Sequence, residues 1–398
     1  MDLTIHPGKL SGSIAVIPSK SQAHRLLICA ALSDDKTELI CPETNQDIEA
    51  TVNCLNALGA DICRTPSGYL VNPIQKVPKE VLLQCGESGS TLRFMLPIAG
   101  ALGVDATFCM QGRLPFRPLS PLWEEMERMG CSLSRPTADT VRCTGTLQCG
   151  AYSIDGGVSS QYITGLLFAM ALIPGNSQLH ITGKCESKPY IEMTQEALSA
   201  FGVHTDNYRV TGAYPFRSPG TVTVEGDWSN GAFFLAAKAL DNDITILGLN
   251  PNSFQGDRAV SKMLLQLEHK CTISAEDTPD LVPILAVTAG AKKGAQFINA
   301  GRLRLKESDR IESVASMLRS LGAAVTTGED TITVSPARYH SCVIDSAGDH
   351  RIAMAAAIAA TVADGPVTIL GAECVSKSYP SFWEEYQRLG GQYEQYIR

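Results

Sequence analysis

Residues 20–32 read KSQAHRLLICAAL, and this stretch is the first of six copies of one pattern. Each copy begins with small or polar residues and runs directly into an apolar stretch of helix length. The other copies are ESGSTLRFMLPIAGAL at 87–102, VSSQYITGLLFAMAL at 158–172, DWSNGAFFLAAKAL at 227–240, PDLVPILAVTAGA at 279–291 and DHRIAMAAAIAATVA at 349–363. Such a recurrence indicates a fold built from repeated supersecondary units.

Each apolar stretch is followed by a short strand pattern, such as TELIC or ATFCM, and then by a second helix pattern with a charged face. Two of these second helices read DIEATVNCLNALGADI at 47–62 and RIESVASMLRSLGAAV at 310–325. A helix that is apolar all round must be buried, whereas a helix with a charged face can lie at the surface. Each repeat therefore predicts one inner helix, one outer helix and short strands.

The six repeats divide into two halves of three, and we place the hinge near Pro215, Pro219 and Gly220, which punctuate the chain between the third and fourth repeats. Strands that alternate with helices also describe an ordinary doubly wound sheet. That alternative lacks its usual nucleotide signatures, because the sequence contains neither a P-loop nor a G-x-G-x-x-G turn after a strand. We therefore favour two domains, each with its own core.

Composition narrows the class of function. The chain has 398 residues with 44% hydrophobic and 19% charged side chains, which is typical of a globular protein. Its net charge of -8 argues against a general nucleic-acid or membrane-surface binder. The 13 cysteines form no C-x-x-C pair, and no His, Cys, Asp or Glu cluster has ligand spacing, so we expect free thiols and no metal. The opening MDLTIHPGKL lacks the apolar core of a secretory signal, so we expect a soluble, cytoplasmic protein.

The starts of the inner helices carry an unusual set of polar residues. The N-terminus of a buried helix presents unpaired N–H groups and a positive dipole end, which together attract anions. The side chains and glycines at these starts are Lys20, Ser21, Arg25, Gly86, Ser88, Gly89, Ser90, Ser159, Ser160, Gln161, Asp280, His350 and Arg351. The connections to the outer helices add Arg113, Arg117, Ser187, Lys188, Tyr190, Lys306, Glu307, Arg310 and Lys377.

Each of these residues also has an ordinary structural interpretation. Ser159, Ser160 and Asp349 can simply cap helices, and the charges of the KESDR segment at 306–310 can belong to a solvated helix face. Capping, however, gives no reason for Lys and Arg at helix starts, where a positive charge opposes the dipole unless an anion offsets it. The combination predicts ligands with several negative charges, such as phosphates and carboxylates.

In order along the chain, these segments resemble the enolpyruvyl transferase family. The matching segments are IPSKSQAHR, GESGSTLR, DGGVSSQYITGLL, ESKPYIEMT, VEGDWSNGAFFLAA, PDLVP, RLKESDRI, GDHRIAM and VSKSYPSFWE, from about Ile5 to Phe382. The resemblance implies an α/β fold of two domains, each of three repeated β/α units with buried parallel helices wrapped by short-stranded sheets, described as an inside-out α/β barrel. It implies a domain of residues 1–12 and 220–398, a domain of residues 13–219, and an active site in the cleft between them.

The resemblance is strongest to the branch of the family that transfers the enolpyruvyl group of phosphoenolpyruvate to the 5-hydroxyl of shikimate 3-phosphate. It implies a monomer that needs no cofactor and no metal, and inhibition by glyphosate. It assigns catalysis to Asp280, which takes the hydroxyl proton, to Glu307, which handles the methylene proton, and to Lys20, which assists departure of phosphate.

The same resemblance implies two sets of ligand-binding residues. Those for phosphoenolpyruvate are Lys20, Gly89, Arg117, Gln161, Arg310, Arg351 and Lys377. Those for shikimate 3-phosphate are Lys20, Ser21, Arg25, Ser159, Ser160, Gln161, Ser187, Asp280 and Lys306. His350 is expected to line the site.

Two positions depart from the family pattern. Glu87 stands where the Gly-rich loop usually has Asn, so this side chain either turns away, for example toward Arg93, or alters the phosphoenolpyruvate pocket. Arg302 stands at a variable position, and its role does not carry over. A sister enzyme that acts on UDP-N-acetylglucosamine is an alternative, but it carries a reactive Cys in a loop that here contains none between Met110 and Gly130. A non-catalytic module that binds anions is a second alternative. Such a module has no need of Asp280 and Glu307 among cations, whereas proton transfer does.

Overall fold

The computed structural model of the protein describes residues 1–213 and 215–396. The apolar stretch of each repeat forms a buried helix, and in the most complete case every residue of His350–Ala360 is buried. The twelve α-helices of the described residues are α1 Lys20–Ala31, α2 Gln46–Ala57, α3 Gly89–Leu102, α4 Leu122–Arg128, α5 Ser160–Leu172, α6 Lys188–Ala200, α7 Trp228–Ala239, α8 Val260–Gln266, α9 Val282–Ala291, α10 Arg310–Ser320, α11 His350–Ala360 and α12 Phe382–Arg388. The odd-numbered helices are the predicted inner helices, and the even-numbered ones are the predicted outer helices.

Short strands separate the helices. They are β1 Asp2–His6, β2 Ser11–Ala15, β3 Thr37–Ile40, β4 Asp61–Thr65, β5 Gly68–Asn72, β6 Glu80–Gly86, β7 Asp105–Met110, β8 Cys131–Ser134, β9 Thr140–Gly145, β10 Ala151–Asp155, β11 Gly175–Thr182, β12 Thr205–Asp206, β13 Arg209–Gly212, β14 Thr221–Thr223, β15 Asp243–Leu247, β16 Cys271–Ser274, β17 Ala295–Ile298, β18 Val325–Thr327, β19 Ile332–Val334, β20 Cys342–Asp345, β21 Val367–Leu370 and β22 Gln392–Tyr396. Five 3₁₀ helices complete the described elements: Leu114–Phe116, Gly256–Ala259, Pro279–Leu281, Gly301–Leu305 and Ala372–Lys377.

Five of the sheets share one topology, which is the structural form of the repeat. The strand orders are β14-β3-β5-β4, β6-β7-β9-β8, β10-β11-β13-β12, β16-β17-β19-β18 and β20-β21-β1-β22, and a sixth sheet pairs β15 with β2. In each four-stranded sheet the first two strands are parallel and the remaining pairings are antiparallel, as in β6–β7 followed by β7–β9. The predicted α/β class with repeated units is confirmed; within residues 1–213 and 215–396 the strands form six separate sheets and no closed barrel.

The chain divides into two compact units. The middle unit comprises residues 18–224 and contains α1 to α6; the terminal unit comprises residues 1–17 and the chain from Glu225 onward and contains α7 to α12. Each unit has its own hydrophobic core around three inner helices. The first residues belong to the terminal unit because β1 pairs with β21 and β22, and β2 pairs with β15.

Small polar residues fix where the inner helices begin. Ser19, Ser88, Ser159, Asp227 and Asp349 cap α1, α3, α5, α7 and α11, and each side chain accepts a hydrogen bond from a backbone N–H of the first turn. This is the usual way to satisfy the donors that a helix start leaves unpaired. The start of α9 differs, because the chain enters it through the 3₁₀ helix Pro279–Leu281. The caps hold the predicted site residues in the first helical turns.

One buried side chain ties the amino-terminal segment to the terminal unit. Asn242 Oδ1 accepts from the backbone N–H of Leu10 at 2.7 Å, and its amide donates to the Ala237 carbonyl at 2.8 Å. We expect Asn242→Ala to destabilise the protein by about 1–3 kcal/mol, because a buried N–H would lose its acceptor. Urea unfolding measures this loss. Asn252→Ala, at an exposed loop position, is the control. An unchanged unfolding midpoint for Asn242→Ala would contradict the role given to this side chain.

Candidate active site

In the middle unit the amino-terminal ends of α3 and α5 are joined by side-chain hydrogen bonds. Gln161, in the first turn of α5, accepts from Arg93 Nη1 at 2.7 Å and donates to Ser90 Oγ at 2.9 Å. The helices approach closely at Gly165, where an added methyl group would collide with the Arg93 carbonyl oxygen. The small residue at position 165 therefore brings Gln161 next to the start of α3.

Two guanidinium groups converge on Gly89, the first residue of α3. A methyl group built on Gly89 would lie 2.9 Å from Arg117 Nη1 and 2.9 Å from Arg93 Nη1. Two like charges this close together, beside the positive end of a helix dipole, form a strong site for an anion. The structure thus brings together Gly89, Arg117 and Gln161, which the sequence predicted, and adds Arg93, which the sequence analysis did not assign to the site.

Lys20 and Arg25 lie on α1 and are already engaged with protein groups. Lys20 Nζ forms an ion pair with Asp47 Oδ2 at 2.9 Å. The buried guanidinium of Arg25 donates to Thr194 Oγ1, Thr164 Oγ1 and the carbonyl oxygens of Tyr190 and Ser21 at 2.6–3.2 Å. Arg25 therefore links α1 to α5 and α6. This structural role is additional to the ligand-binding role that the resemblance implies.

The predicted serines of the middle unit occupy helix starts. Ser159 caps α5 by accepting from the Gln161 N–H at 3.3 Å, and Ser160 follows it as a buried first residue. Ser187 precedes α6 with φ 54° and ψ 39°, the left-handed region that residues other than glycine rarely adopt. Such backbone strain clusters at functional sites, which supports the assignment of Ser187.

In the terminal unit the predicted residues Asp280 and Glu307 are both bonded to Arg310, whose side chain is 1% exposed. Its guanidinium donates to Asp280 Oδ1 at 2.7 Å, to Glu307 Oε2 at 2.7 Å and to Asp349 Oδ2 at 2.7 Å. Asp349 also caps α11 and accepts from Ser308 Oγ at 3.0 Å. Charge-assisted hydrogen bonds of this kind fix both the distance and the orientation of the partners. Arg310 therefore positions both predicted catalytic carboxylates.

Three cations surround the Asp280 carboxylate. Besides Arg310, Lys306 Nζ lies 3.3 Å from Oδ1, and Arg351 Nη2 lies 3.4 Å from Oδ2. Burial alone would raise the pKa of Asp280, but the charges of Arg351, Lys306 and Arg310 outweigh it and hold the pKa well below its usual range. Asp280 is therefore ionised before any ligand enters.

The remaining predicted residues of the terminal unit lie at helix ends. His350 and Arg351 are the first residues of α11, and Lys377 is a buried residue that ends the 3₁₀ helix Ala372–Lys377. Arg302 donates to the Glu276 carbonyl at 3.2 Å. Within residues 1–213 and 215–396, no group of three His, Cys, Asp or Glu side chains is arranged to hold a metal ion.

The exposed carboxylate of Glu87, the residue that departs from the family pattern, is directed at the backbone of Gly112. A methyl group built on Gly112 would overlap with it. Arg93 donates to Gln161 and to the Pro118 carbonyl. Two other residues at the site were not assigned to it from the sequence: Asp47, and Asp349 beyond its capping role. Little in the sequence indicated that these two residues belong to the site, because a single acidic residue near a helix start is ordinarily a cap.

Solved structures show the same fold. The structure of EPSP synthase from Acinetobacter baumannii superposes with a TM-score of 0.81 at 23% identity, covering 99% of this chain and 100% of that one. The enolpyruvyl transferase NikO from Streptomyces tendae superposes with a TM-score of 0.78 at 16% identity, covering 99% of this chain and 98% of that one. The architecture is therefore that of the enolpyruvyl transferases.

Sequence comparison is more specific. The profile of EPSP synthase (3-phosphoshikimate 1-carboxyvinyltransferase) matches residues 5–279 and 270–386. The chain is 37% identical to the 3-phosphoshikimate 1-carboxyvinyltransferase of Clostridium kluyveri, over 99% of this chain and 98% of the relative. It is 35% identical to that of Clostridioides difficile, over 99% and 98%. The chain belongs to the EPSP synthase family. Across the described residues, none of the helices is both long and apolar enough to traverse a bilayer.

The position of Lys306 gives a prediction that does not depend on any ligand. Burial lowers the pKa of Lys306 to about 8, against an opposing effect of Asp280. NMR of the lysine ε-methylene groups should show one lysine that titrates with a midpoint near 8, and this signal should be missing from Lys306→Met. A midpoint for Lys306 close to 10.5, the value of an unperturbed lysine, would contradict the lowered pKa.

Proposed function

We propose that the residue groups of the two units act on one pair of substrates in a single reaction. The reaction is the transfer of the enolpyruvyl group of phosphoenolpyruvate to the 5-hydroxyl of shikimate 3-phosphate, with release of phosphate. Family membership supports it, because the relatives at 35–37% identity carry the name of this transferase. The chain is thus a transferase of the shikimate pathway, which leads to aromatic amino acids. We also expect it to act as a monomer in the cytoplasm.

The observation that carries this proposal is the network in which Arg310 holds Asp280 and Glu307 at 2.7 Å each. Both substrates are anions, so they need cations, and the reaction also needs proton transfer at two atoms. A site that only binds anions would bind them less tightly with two carboxylates among Lys306, Arg310 and Arg351. Carboxylates and cations side by side suit a site that binds anions and moves protons.

In the first step, the 5-hydroxyl oxygen bonds to C2 of phosphoenolpyruvate while the methylene carbon gains a proton. We assign removal of the hydroxyl proton to Asp280 and protonation of the methylene carbon to Glu307. In the second step, the bond from C2 to the phosphate oxygen breaks, the new methyl group loses a proton, and the product and phosphate leave. Lys20 assists that departure as a cation near the phosphate.

The low pKa of Asp280 explains why this base would act only with substrates present. Alone, Asp280 is held ionised by Arg351, Lys306 and Arg310, and is therefore a weak base. When phosphate and carboxylate groups take up the same cations, the stabilisation of the Asp280 anion falls and its affinity for a proton rises. Binding of the anionic substrates would thus activate the base.

The anion-binding residues divide between the substrates. For phosphoenolpyruvate we propose Lys20, Gly89, Arg117, Gln161, Arg310, Arg351 and Lys377; for shikimate 3-phosphate we propose Lys20, Ser21, Arg25, Ser159, Ser160, Gln161, Ser187, Asp280 and Lys306. Glyphosate should compete with phosphoenolpyruvate, since it presents a similar set of negative charges to the guanidinium groups at Gly89.

Gly89→Ala tests the phosphoenolpyruvate assignment. Its methyl group would press on the guanidinium groups of Arg117 and Arg93, each 2.9 Å away, and displace them. We expect KM for phosphoenolpyruvate to rise roughly ten- to hundredfold while KM for shikimate 3-phosphate changes little. Gly8→Ala, which adds a methyl group with no heavy atom within 4 Å, is the matched control. Equal rises in both KM values, or glyphosate inhibition that is independent of phosphoenolpyruvate, would contradict the assignment.

Glu307→Gln tests the reaction and its carboxylate together. Phosphate release from phosphoenolpyruvate should require shikimate 3-phosphate in the wild type and fall by about 10²–10⁴-fold in the variant, because the amide cannot transfer the proton. Glu312→Gln, a nearby exposed change of the same kind on α10, should keep full activity. If both substrates bind to the wild type without any phosphate release, the chain is a binding module and the proposal fails.

A further inference from the structure

Two side-chain contacts join α1 to α2 in the middle unit. Lys20 Nζ pairs with Asp47 Oδ2 at 2.9 Å, and one helical turn further along both helices His24 Nδ1 lies 2.7 Å from Thr51 Oγ1. Residues four positions apart lie on the same face of a helix, so the two contacts are stacked one above the other. The buried pair of His24 and Thr51 therefore sets the register in which the Lys20 ion pair forms.

Thr51 also connects α2 to the start of α3. Its hydroxyl oxygen lies 2.7 Å from Thr91 Oγ1, and the Thr91 hydroxyl donates to Ser88 Oγ at 2.7 Å. Ser88 caps α3 and directly precedes Gly89, on which two guanidinium groups converge. None of the four side chains that link His24 to Ser88 is more than 1% exposed. A buried chain of hydrogen bonds thus runs from α1 to the candidate anion site.

The protons of this chain have one consistent order. Thr91 gives its only hydroxyl proton to Ser88, so it accepts from Thr51. Thr51 has then used its own proton and accepts from His24, which must carry hydrogen on Nδ1. His24 Nε2 is buried and has no hydrogen-bond partner within residues 1–213 and 215–396. An unpaired lone pair is more readily tolerated there than an unpaired N–H, so both arguments give the same tautomer.

The ring of His24 is also fixed in charge and orientation. Burial lowers the pKa of His24 to about 3, so the ring is neutral at physiological pH and the order of protons is stable there. Phe94 of α3 contacts it edge to face, with ring centroids 6.3 Å apart and planes at 88°. A fully buried polar chain with these fixed ends permits one arrangement of the three helices.

We propose that His24, as its Nδ1–H tautomer, and Thr51 are positioning residues that hold Lys20 and the start of α3 at Gly89 in the register that phosphoenolpyruvate binding requires. This inference rests on the proposed function, in which Lys20 and Gly89 contact phosphoenolpyruvate. His24 and Thr51 touch no substrate themselves. They act through the α1–α2 register at one end of the chain and through the cap Ser88 at the other.

Thr51→Val tests the chain, because it keeps the shape of the side chain and leaves the His24 N–H without an acceptor. We expect KM for phosphoenolpyruvate to rise about tenfold, and KM for shikimate 3-phosphate to rise less, because only the phosphoenolpyruvate set includes the α3 start. Thr51→Ser, which restores the hydroxyl, should restore both values. Thr288→Val on α9 is the matched control: Thr288 is also fully buried and donates to a backbone carbonyl at 2.9 Å, so its loss should lower stability and leave both KM values unchanged.

The tautomer is tested without any substrate, from the ¹⁵N chemical shifts of the histidine rings. The signals of His24 are those missing from His24→Asn, and we expect them to show a protonated Nδ1 and an unprotonated Nε2. A protonated Nε2 would overturn the proposal, and so would an unchanged KM for phosphoenolpyruvate in Thr51→Val or equal rises in both KM values. Those results would leave the proposed function intact. A wild type without phosphate release dependent on shikimate 3-phosphate would instead refute the proposed function.

Discussion

The buried guanidinium of Arg310 is the constraint on which the terminal unit's site depends. At 1% exposure it must be paired, since an uncompensated buried charge costs several kcal/mol. Its partners are Asp280, Glu307 and Asp349, which come from three different inner and outer helix starts. The need to pair one cation thus gathers the acidic groups required for proton transfer. In the middle unit, the guanidinium groups of Arg93 and Arg117 converge on the start of α3 at Gly89.

Much of this architecture could be predicted from the sequence. The inner helices were recognisable because an all-apolar stretch such as Ile352–Ala363 can only be buried, and the outer helices because their charged faces recur. Four of the predicted site residues, Asp280, Lys306, Glu307 and Arg351, lie together with Arg310, because all five belong to helix starts or to the connections next to them. The resemblance to the enolpyruvyl transferases supplied the reaction, and the family comparisons agree with it.

The features of the structure that could not be predicted depend on contacts between residues that are far apart in sequence. The bonds from Arg25 to Thr194 and Thr164 span 169 and 139 positions, so nothing near Arg25 reveals that its guanidinium holds three helices together. Arg93 was missed for the same reason, because it looks like an ordinary residue in its own segment. The pairing of β1 with β21, which brings the amino terminus into the terminal unit, has no local signal either.

The most direct test of the account is the fate of solvent hydrogen during turnover in D₂O. If Glu307 protonates the methylene carbon and the methyl group later loses one of its hydrogens, deuterium should appear in the methylene group of the product, and only when both substrates are present. Product formed at the normal rate without deuterium in that group would contradict the account, because Glu307 would then not have delivered a solvent-derived proton to a freely rotating methyl group.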